Sequence, residues 1–294
     1  MIEKINNKNI QNYLVKITNN KYKVKLITKT KNKILYKLHN YNKEILAKIY
    51  LSNFSKKLSL NEFKGHRFYA NKKQFNIPKI LFFRKNTKFN ILLREYVIGK
   101  KSNINYFKLF NYYKFPRKKN LYKFDIKDYL NKFFFNLNID NFKIREKLIK
   151  RYNKQYIYIA ASHGDLIHYN LLSDKKSFFI DFEYFSKNRS LYFDFFSWYI
   201  IPLITNIIRF KITGLINYII PISLRVIFIL TKNKIFIKKF SIFNMYFNIF
   251  LFEKLILMKK IYTEFKFENQ NDEIMHLNVT NSFKKILKQN FKAS

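Results

Sequence analysis

The chain has 294 residues, 48% of them hydrophobic and 26% charged, and no cysteine. That composition buries a core, and it excludes a disordered chain, disulfides and thiolate metal centres. Lys and Arg number 58 against 18 Asp and Glu, a net charge of +40, but the excess is nearly all lysine and is spread over almost every segment. Arginine, the usual bidentate reader of bases and phosphates, is scarce, so the charge reads as compositional drift and no specific nucleic-acid partner is expected.

The N-terminal MIEKINNKNIQNY lacks the apolar run of a secretory signal, which gives a cytoplasmic expectation. YKVKLITKT (22–30), KILYKLHNY (33–41) and EILAKIYL (44–51) are short runs of β-branched and aromatic residues parted by polar turns, and are expected as strands. From about Leu58 to Lys73 the spacing turns helical. Pro78 opens another strand, and NILLREYVIGK (90–100) is a further one closed by Gly99. Helices are expected near Lys127–Leu137 and Phe142–Tyr158. Beyond residue 190 the chain is very apolar, in FFSWYIIPLITNIIRF and ITGLINYIIPISLRVIFIL. The second run has the length of a membrane span, but Asn217, Pro221 and Arg225 interrupt it, so both are expected as buried or half-buried helices. Basic residues flank them, which is compatible with a peripheral membrane contact.

The chemistry concentrates in HGDLIHYNLLSDKKSFFIDFEY, His163 to Tyr184. Leu171–Ser173 and Phe178–Ile180 are short apolar runs around Asp174-Lys175-Lys176-Ser177, a hairpin signal. The simplest register pairs Ser173 with Phe178 and Leu171 with Ile180, and one further pair sets Asn170 opposite Asp181. Cβ atoms of directly opposed residues lie roughly 5 Å apart. An amide oxygen and a carboxylate would then meet at the open end, with Asp165 able to fold over it. Such oxygen donors suit a hard cation such as Mg²⁺, and a carboxylate held off the metal can accept a proton from an attacking hydroxyl. The bland alternative is a hairpin whose polar ends cap loops.

His163-Gly164-Asp165-Leu166, Asn170 five places beyond Asp165, and Ile180-Asp181-Phe182-Glu183 after a hairpin together resemble the catalytic segment of kinase-like small-molecule phosphotransferases. This is the aminoglycoside phosphotransferase and choline kinase superfamily. Gly164 and Glu183 depart from the protein-kinase pattern and match the small-molecule branch. The resemblance spans about residues 20–200. It implies an α+β, two-lobed, protein-kinase-like fold with a small antiparallel β N-lobe carrying one helix and a larger, mostly α C-lobe. Residues 1–97 would form the nucleotide-binding N-lobe. Residues 98–294 would form the C-lobe, with the catalytic loop, the metal hairpin and a helical substrate region.

The resemblance further implies ATP and Mg²⁺ as cofactors, with Asp165 as the catalytic base and Asn170 and Asp181 as the metal ligands. His163 would support the loop, and the role of Glu183 stays open. Asp194 would brace the catalytic loop, or else serve only as an acid at a helix N-terminus. Lys48 would meet the nucleotide phosphates and Glu62 would fix it, although Ser59-x-x-Glu62 also reads as a local capping box. Backbone groups near Glu95–Val97 would bind adenine. No G-x-G-x-x-G loop is present, and the Thr28–Lys33 turn has only lysine or threonine side chains to offer a phosphate.

The expected activity is ATP-dependent phosphorylation of a small-molecule hydroxyl, in a sugar, a glycan precursor or an amino alcohol such as choline. Acids are few beyond Asp194, which disfavours a polycationic antibiotic. Tyr184, Trp198 or Tyr199 could face a quaternary ammonium, though core packing explains them as well. The rival readings are a membrane-peripheral kinase of a lipid-linked or cell-envelope sugar and a catalytically silent pseudokinase.

Overall fold

The computed structural model describes residues 7–19, 21–71, 76–101, 121–135, 137–173, 177–233, 235, 237–265 and 267–292. The chain divides into two compact units, Met1–Ser102 with Leu171–Glu183, and Asn103–Asn170 with Tyr184–Ser294. The hairpin region thus groups by contact with the first unit.

The first unit opens with a helix, α1 (Asn7–Ile17), followed by β1 (Lys23–Lys29), β2 (Lys33–His39) and β3 (Glu44–Tyr50). Then come α2 (Asn53–Ala70), β4 (Ile80–Arg84) and β5 (Asn90–Glu95). The five strands form one antiparallel sheet in the order β1-β2-β3-β5-β4. Alternation along β2 turns Ile34, Tyr36 and Leu38 inward, where they pack with Ile49, Ile91 and Leu93. Ile10 and Leu14 of α1 close this core, so α1 is an element that no strand pattern announced.

Helix α2 begins five residues before the expected Leu58, because Ser52 caps it by accepting from the Ser55 N–H at 3.1 Å. Ser59 is therefore mid-helix and donates to the Lys56 carbonyl, and the Ser59–Glu62 capping box does not form. Residues Lys100–Lys101 (β6), Leu171–Ser173 (β9) and Ser177–Phe179 (β10) make a small sheet in the order β10-β9-β6. Its hairpin pairs Ser177 with Ser173 and Phe179 with Leu171, one residue away from the expected register. Asn170 opposite Asp181 is therefore not a pair of this ladder. Side chains alternate across a strand, so a one-residue slip exchanges the faces.

The second unit contains β7 (Tyr122–Asp125), α3 (Ile126–Phe133), α4 (Ile139–Arg151), β8 (Tyr156–Ser162) and β11 (Ser186–Ser190). The strands form an antiparallel sheet in the order β11-β8-β7. The helix expected to run to Tyr158 stops at Arg151. Lys154 turns the chain at a φ of 66°, and YIYIAAS continues as a strand, where its β-branched and aromatic residues fit the pleat. Four helices follow: α5 (Phe193–Arg209), α6 (Ile216–Thr231), α7 (Phe240–Glu264) and α8 (Gln270–Lys292). Helix α7 runs through the core of this unit, with Phe243, Phe247, Phe250 and Leu255 buried along it. Trp198 and Tyr199 are also buried in the core, so packing accounts for those two aromatics.

Candidate active site

The expected residues form two clusters, one in each unit. In the first unit Lys48 projects from β3 with its ammonium 2.8 Å from Glu62 Oε1, and both side chains are buried. Nine residues of α2 precede Glu62 after its cap, so helix geometry, not a local cap, aims the carboxylate at β3. The Lys48 ammonium also bonds Asp181, and the Tyr50 hydroxyl bonds Glu62. Glu183 joins from the other side, with Lys33 Nζ at 2.7 Å and Lys48 Nζ at 3.8 Å. Carboxylate oxygens of Glu62, Asp181 and Glu183 come within 4.8 Å of one another, a hard-oxygen donor set of the kind Mg²⁺ accepts.

Burial alone would neutralise these carboxylates, and for Asp181 and Glu62 the opposite charges prevent it. Burial pushes the Asp181 carboxyl up, but Lys48 and Lys33 outweigh it and hold it at about 2. Burial likewise opposes the Glu62 charge, yet Lys48, His66 and Arg94 keep it well below the usual carboxylate range. Glu183 goes the other way: burial and then the Asp181 charge raise it, against the pull of Lys33. Asp181 has a φ of 69°, an uncommon left-handed backbone that aspartate tolerates better than most residues.

The glycine-free turn before β2 is closed by Thr30, whose hydroxyl donates to the Lys33 carbonyl and accepts from the Lys33 N–H. Threonine thus builds the turn by side-chain bonding where a glycine loop would use backbone freedom. Of the expected adenine-binding backbone, the Glu95 N–H donates to the Lys79 carbonyl and the Tyr96 N–H to the Glu44 carbonyl. Among the described residues none bonds the backbone of Val97.

In the second unit the residues expected to form the catalytic loop follow β8. Asp194, in the first turn of α5, accepts from the Ser162 hydroxyl at 2.7 Å, the His163 N–H at 2.7 Å and the Gly164 N–H at 3.0 Å. It thus stands at a helix N-terminus and also ties residues 162–164 to that helix. Gly164 has a φ of 87°, and a Cβ there would run into the Tyr184 carbonyl, which accounts for glycine at this position. The loop then presents Asp165. Asn170 folds back on it, donating from Nδ2 to the Asp165 carbonyl at 2.7 Å and lying 3.4 Å from Asp165 Oδ2. The buried His163 sits behind the loop.

Of two neighbouring residues of α7 that the motifs did not single out, one joins this cluster and the other supports the strand beside it. Lys254 is buried, with its ammonium 3.2 Å from Asp165 Oδ1 and 3.4 Å from the Gly164 carbonyl. Its neighbour Glu253, also buried, accepts from the Ser190 N–H at 3.0 Å, the Ser190 hydroxyl at 2.9 Å and the Tyr129 hydroxyl. Glu253 is thus spent on the fold and does not form part of an acidic substrate pocket. The available signal was a Glu-Lys pair flanked on both sides by apolar residues of the helix.

No protein-family model matches the chain, and no curated protein matches it in sequence. Solved structures do match. The choline kinase LicA from Streptococcus pneumoniae superposes with a TM-score of 0.61 at 13% identity, over 96% of this chain and 98% of that one. A protein assigned as a fructosamine-3-kinase from Haemophilus somnus gives 0.57 at 14% identity, over 95% and 96%. A thermostable aminoglycoside phosphotransferase in ternary complex with ADP and hygromycin B gives 0.55 at 7% identity, over 95% and 98%. The fold is that of the kinase-like small-molecule phosphotransferases. This kinase-like fold runs almost the whole length of the chain, beyond residue 200, where the sequence resemblance fades.

Proposed function

We propose that the protein is an ATP-dependent phosphotransferase acting on a hydroxyl group of a small molecule. The observation that carries this reading is the buried Lys48–Glu62 ion pair, bonded to Asp181 within a kinase-like fold. A buried charge cluster of this kind costs several kcal/mol in desolvation unless well paired. Its retention on a strand and helix that would otherwise pack as apolar core favours a functional role. The donor set fits the cofactors: carboxylates for a hard divalent cation and ammonium groups for polyphosphate. In this reading Lys48, held by Glu62, binds the nucleotide phosphates, and the backbone around Glu95–Val97 takes the adenine. Asp181 would be a metal ligand in the first unit's cluster, Asn170 would offer a ligand oxygen from the loop of the second unit, and Glu183 holds Lys33 beside Asp181. Bound Mg²⁺ would neutralise charge on the transferring phosphoryl group.

Asp165 would accept the acceptor hydroxyl's proton as the oxygen attacks. Asn170 and Lys254 hold that carboxylate, and Asp194 holds the loop beneath it. A neighbour of the same fold solved with ADP and hygromycin B supports a nucleotide and a hydroxylated acceptor as the ligand pair. With Glu253 committed to Ser190 and Tyr129, the second unit has less acidic surface for a polycation, which favours a sugar, a glycan precursor or an amino alcohol carrying at most one positive charge. The deciding experiment is ADP release from Mg·ATP with pooled hydroxyl compounds of those classes. Turnover lost in Asp165→Asn, with nucleotide binding retained, is the expected result. A wild-type protein that neither binds Mg·ATP nor turns it over with any pool would overturn the reading.

A further inference from the structure

Among the described residues, large hydrophobic side chains stand exposed with unusual density between residues 210 and 230. Helix α6 shows why. Its inner stripe, Ile216, Ile220, Leu224 and Phe228, is buried at helical spacing, so one face packs on its own unit. Its outer face is apolar too: Tyr218 is 69% exposed, Ile222 63% and Ile229 61%, with Val226 and Leu230 beside them. The turn leading into the helix adds exposed Phe210 and Leu215. A helix apolar all round is usually wholly buried, and this one is not. Contiguous exposed apolar surface of this kind marks an interaction site.

Charge identifies the partner. From residue 195 to residue 252 the sequence contains no Asp or Glu, while Arg209, Lys211, Arg225, Lys232, Lys238 and Lys239 are among its bases. All six of these are exposed, at both ends of the helix and, for Arg225, on its outer face. A second copy of this chain would bring like charges together around the patch, which is costly. An anionic lipid surface meets both features at once, taking the apolar side chains into the acyl boundary and the ammonium and guanidinium groups at the headgroups. A cavity of about 440 Å³ opens beside the start of α6, lined by Lys211, Thr213, Asn278, Asn281 and Lys285 among others. Its ammonium, hydroxyl and carboxamide donors suit a headgroup phosphate. Pro221 and Arg225 within the helix, and its packed inner stripe, favour a helix lying in the interface over one that spans it.

We infer that the outer face of α6, with the basic residues around it, docks the protein on an anionic membrane surface. The inference does not rest on the phosphotransfer reading. Its test is flotation of the full chain with vesicles of phosphatidylcholine alone and of phosphatidylcholine with phosphatidylglycerol, at low and high salt. The wild type is expected to float with the anionic vesicles at low salt and to be released by salt. Ile222→Ser combined with Ile229→Ser, which leaves the charge unchanged, should weaken that binding by about tenfold or more. Lys211→Ala combined with Lys285→Ala should weaken it independently. Thermal melting of each variant, expected at the wild-type temperature because the residues are exposed, shows that the fold is kept. Absence of wild-type flotation overturns the inference. So does unchanged flotation of the Ile222/Ile229 variant, or a wild-type dimer in light scattering that this variant dissolves without vesicle binding. ADP-release assays in the absence of lipid report on the phosphotransfer reading separately.

Discussion

The Lys254 ammonium, on α7, lies 3.2 Å from Asp165 Oδ1 across 89 residues of sequence. A buried cation beside the proposed base restricts where that carboxylate can point. Positioned proton acceptors contribute roughly a hundredfold or more to rate, so Lys254→Met, similar in volume but uncharged, should lower kcat by about tenfold or more. The KM for nucleotide should change little, because the phosphates are assigned to the Lys48 cluster. Steady-state kinetics on the acceptor found in the screen check this, and an unchanged kcat would remove Lys254 from the catalytic cluster.

Lys48→Met should be costly to the fold as well as to activity. It leaves the fully buried Glu62 carboxylate without its main counter-charge. Removing one partner of a buried ion pair costs about 3–5 kcal/mol, most of it from the charge left behind. The double variant Lys48→Met with Glu62→Gln should recover part of that stability without recovering nucleotide binding. Denaturant melts and a nucleotide titration separate the two effects.

Gly164→Ala should destabilise the second unit and inactivate it together. The new methyl would strike the Tyr184 carbonyl at a φ that alanine rarely adopts. Left-handed strain alone costs of order 1–3 kcal/mol, and the clash adds to it. A melting temperature equal to that of the wild type would show that the loop can move aside.

Asp194→Ala should act by a different route in the same loop. It strips the acceptor from the Ser162 hydroxyl and from the His163 and Gly164 N–H groups. Each buried donor left unsatisfied costs about 1–3 kcal/mol. Faster hydrogen exchange at residues 162–165, with protection kept in the first unit, is the expected signature.

Acid should unfold the charge cluster in a definite order. The folded Asp181 carboxyl sits at about 2, below its ordinary 3.8, and Glu62 is also depressed. For such groups the unfolded chain binds protons first, so their stabilisation is complete above the unfolded values and is lost as pH falls through the folded ones. Glu183, raised in the fold, has the opposite sign and offsets part of the loss. Melting temperature should therefore fall as pH drops from about 4 toward 2, and Lys48→Met should flatten that limb. Melts across this range on both proteins provide the check.

Part of the candidate site's layout was legible before folding was considered. Asp165 and Asn170 stand at a spacing that one loop brings into contact, and the strand pattern around Lys48 put its side chain on a sheet. Signals of this kind act over a dozen residues, where side-chain period and turn chemistry dominate. Even there the hairpin register slipped by one, because Ser177 joined the strand instead of the turn. The contacts that complete the clusters are of another range. Lys33 reaches Glu183 across 150 residues, and Lys254 reaches Asp165 across 89. Nothing in the local pattern around Lys33 distinguishes it from the other lysines of a lysine-rich chain, and the apolar surround of Glu253-Lys254 says nothing of their distant partners. Which lysines are buried beside carboxylates, and which face of α6 stays uncovered, was decided by packing. A charge leaves water only where the assembled fold offers it a partner, and an apolar face stays bare only where no element covers it.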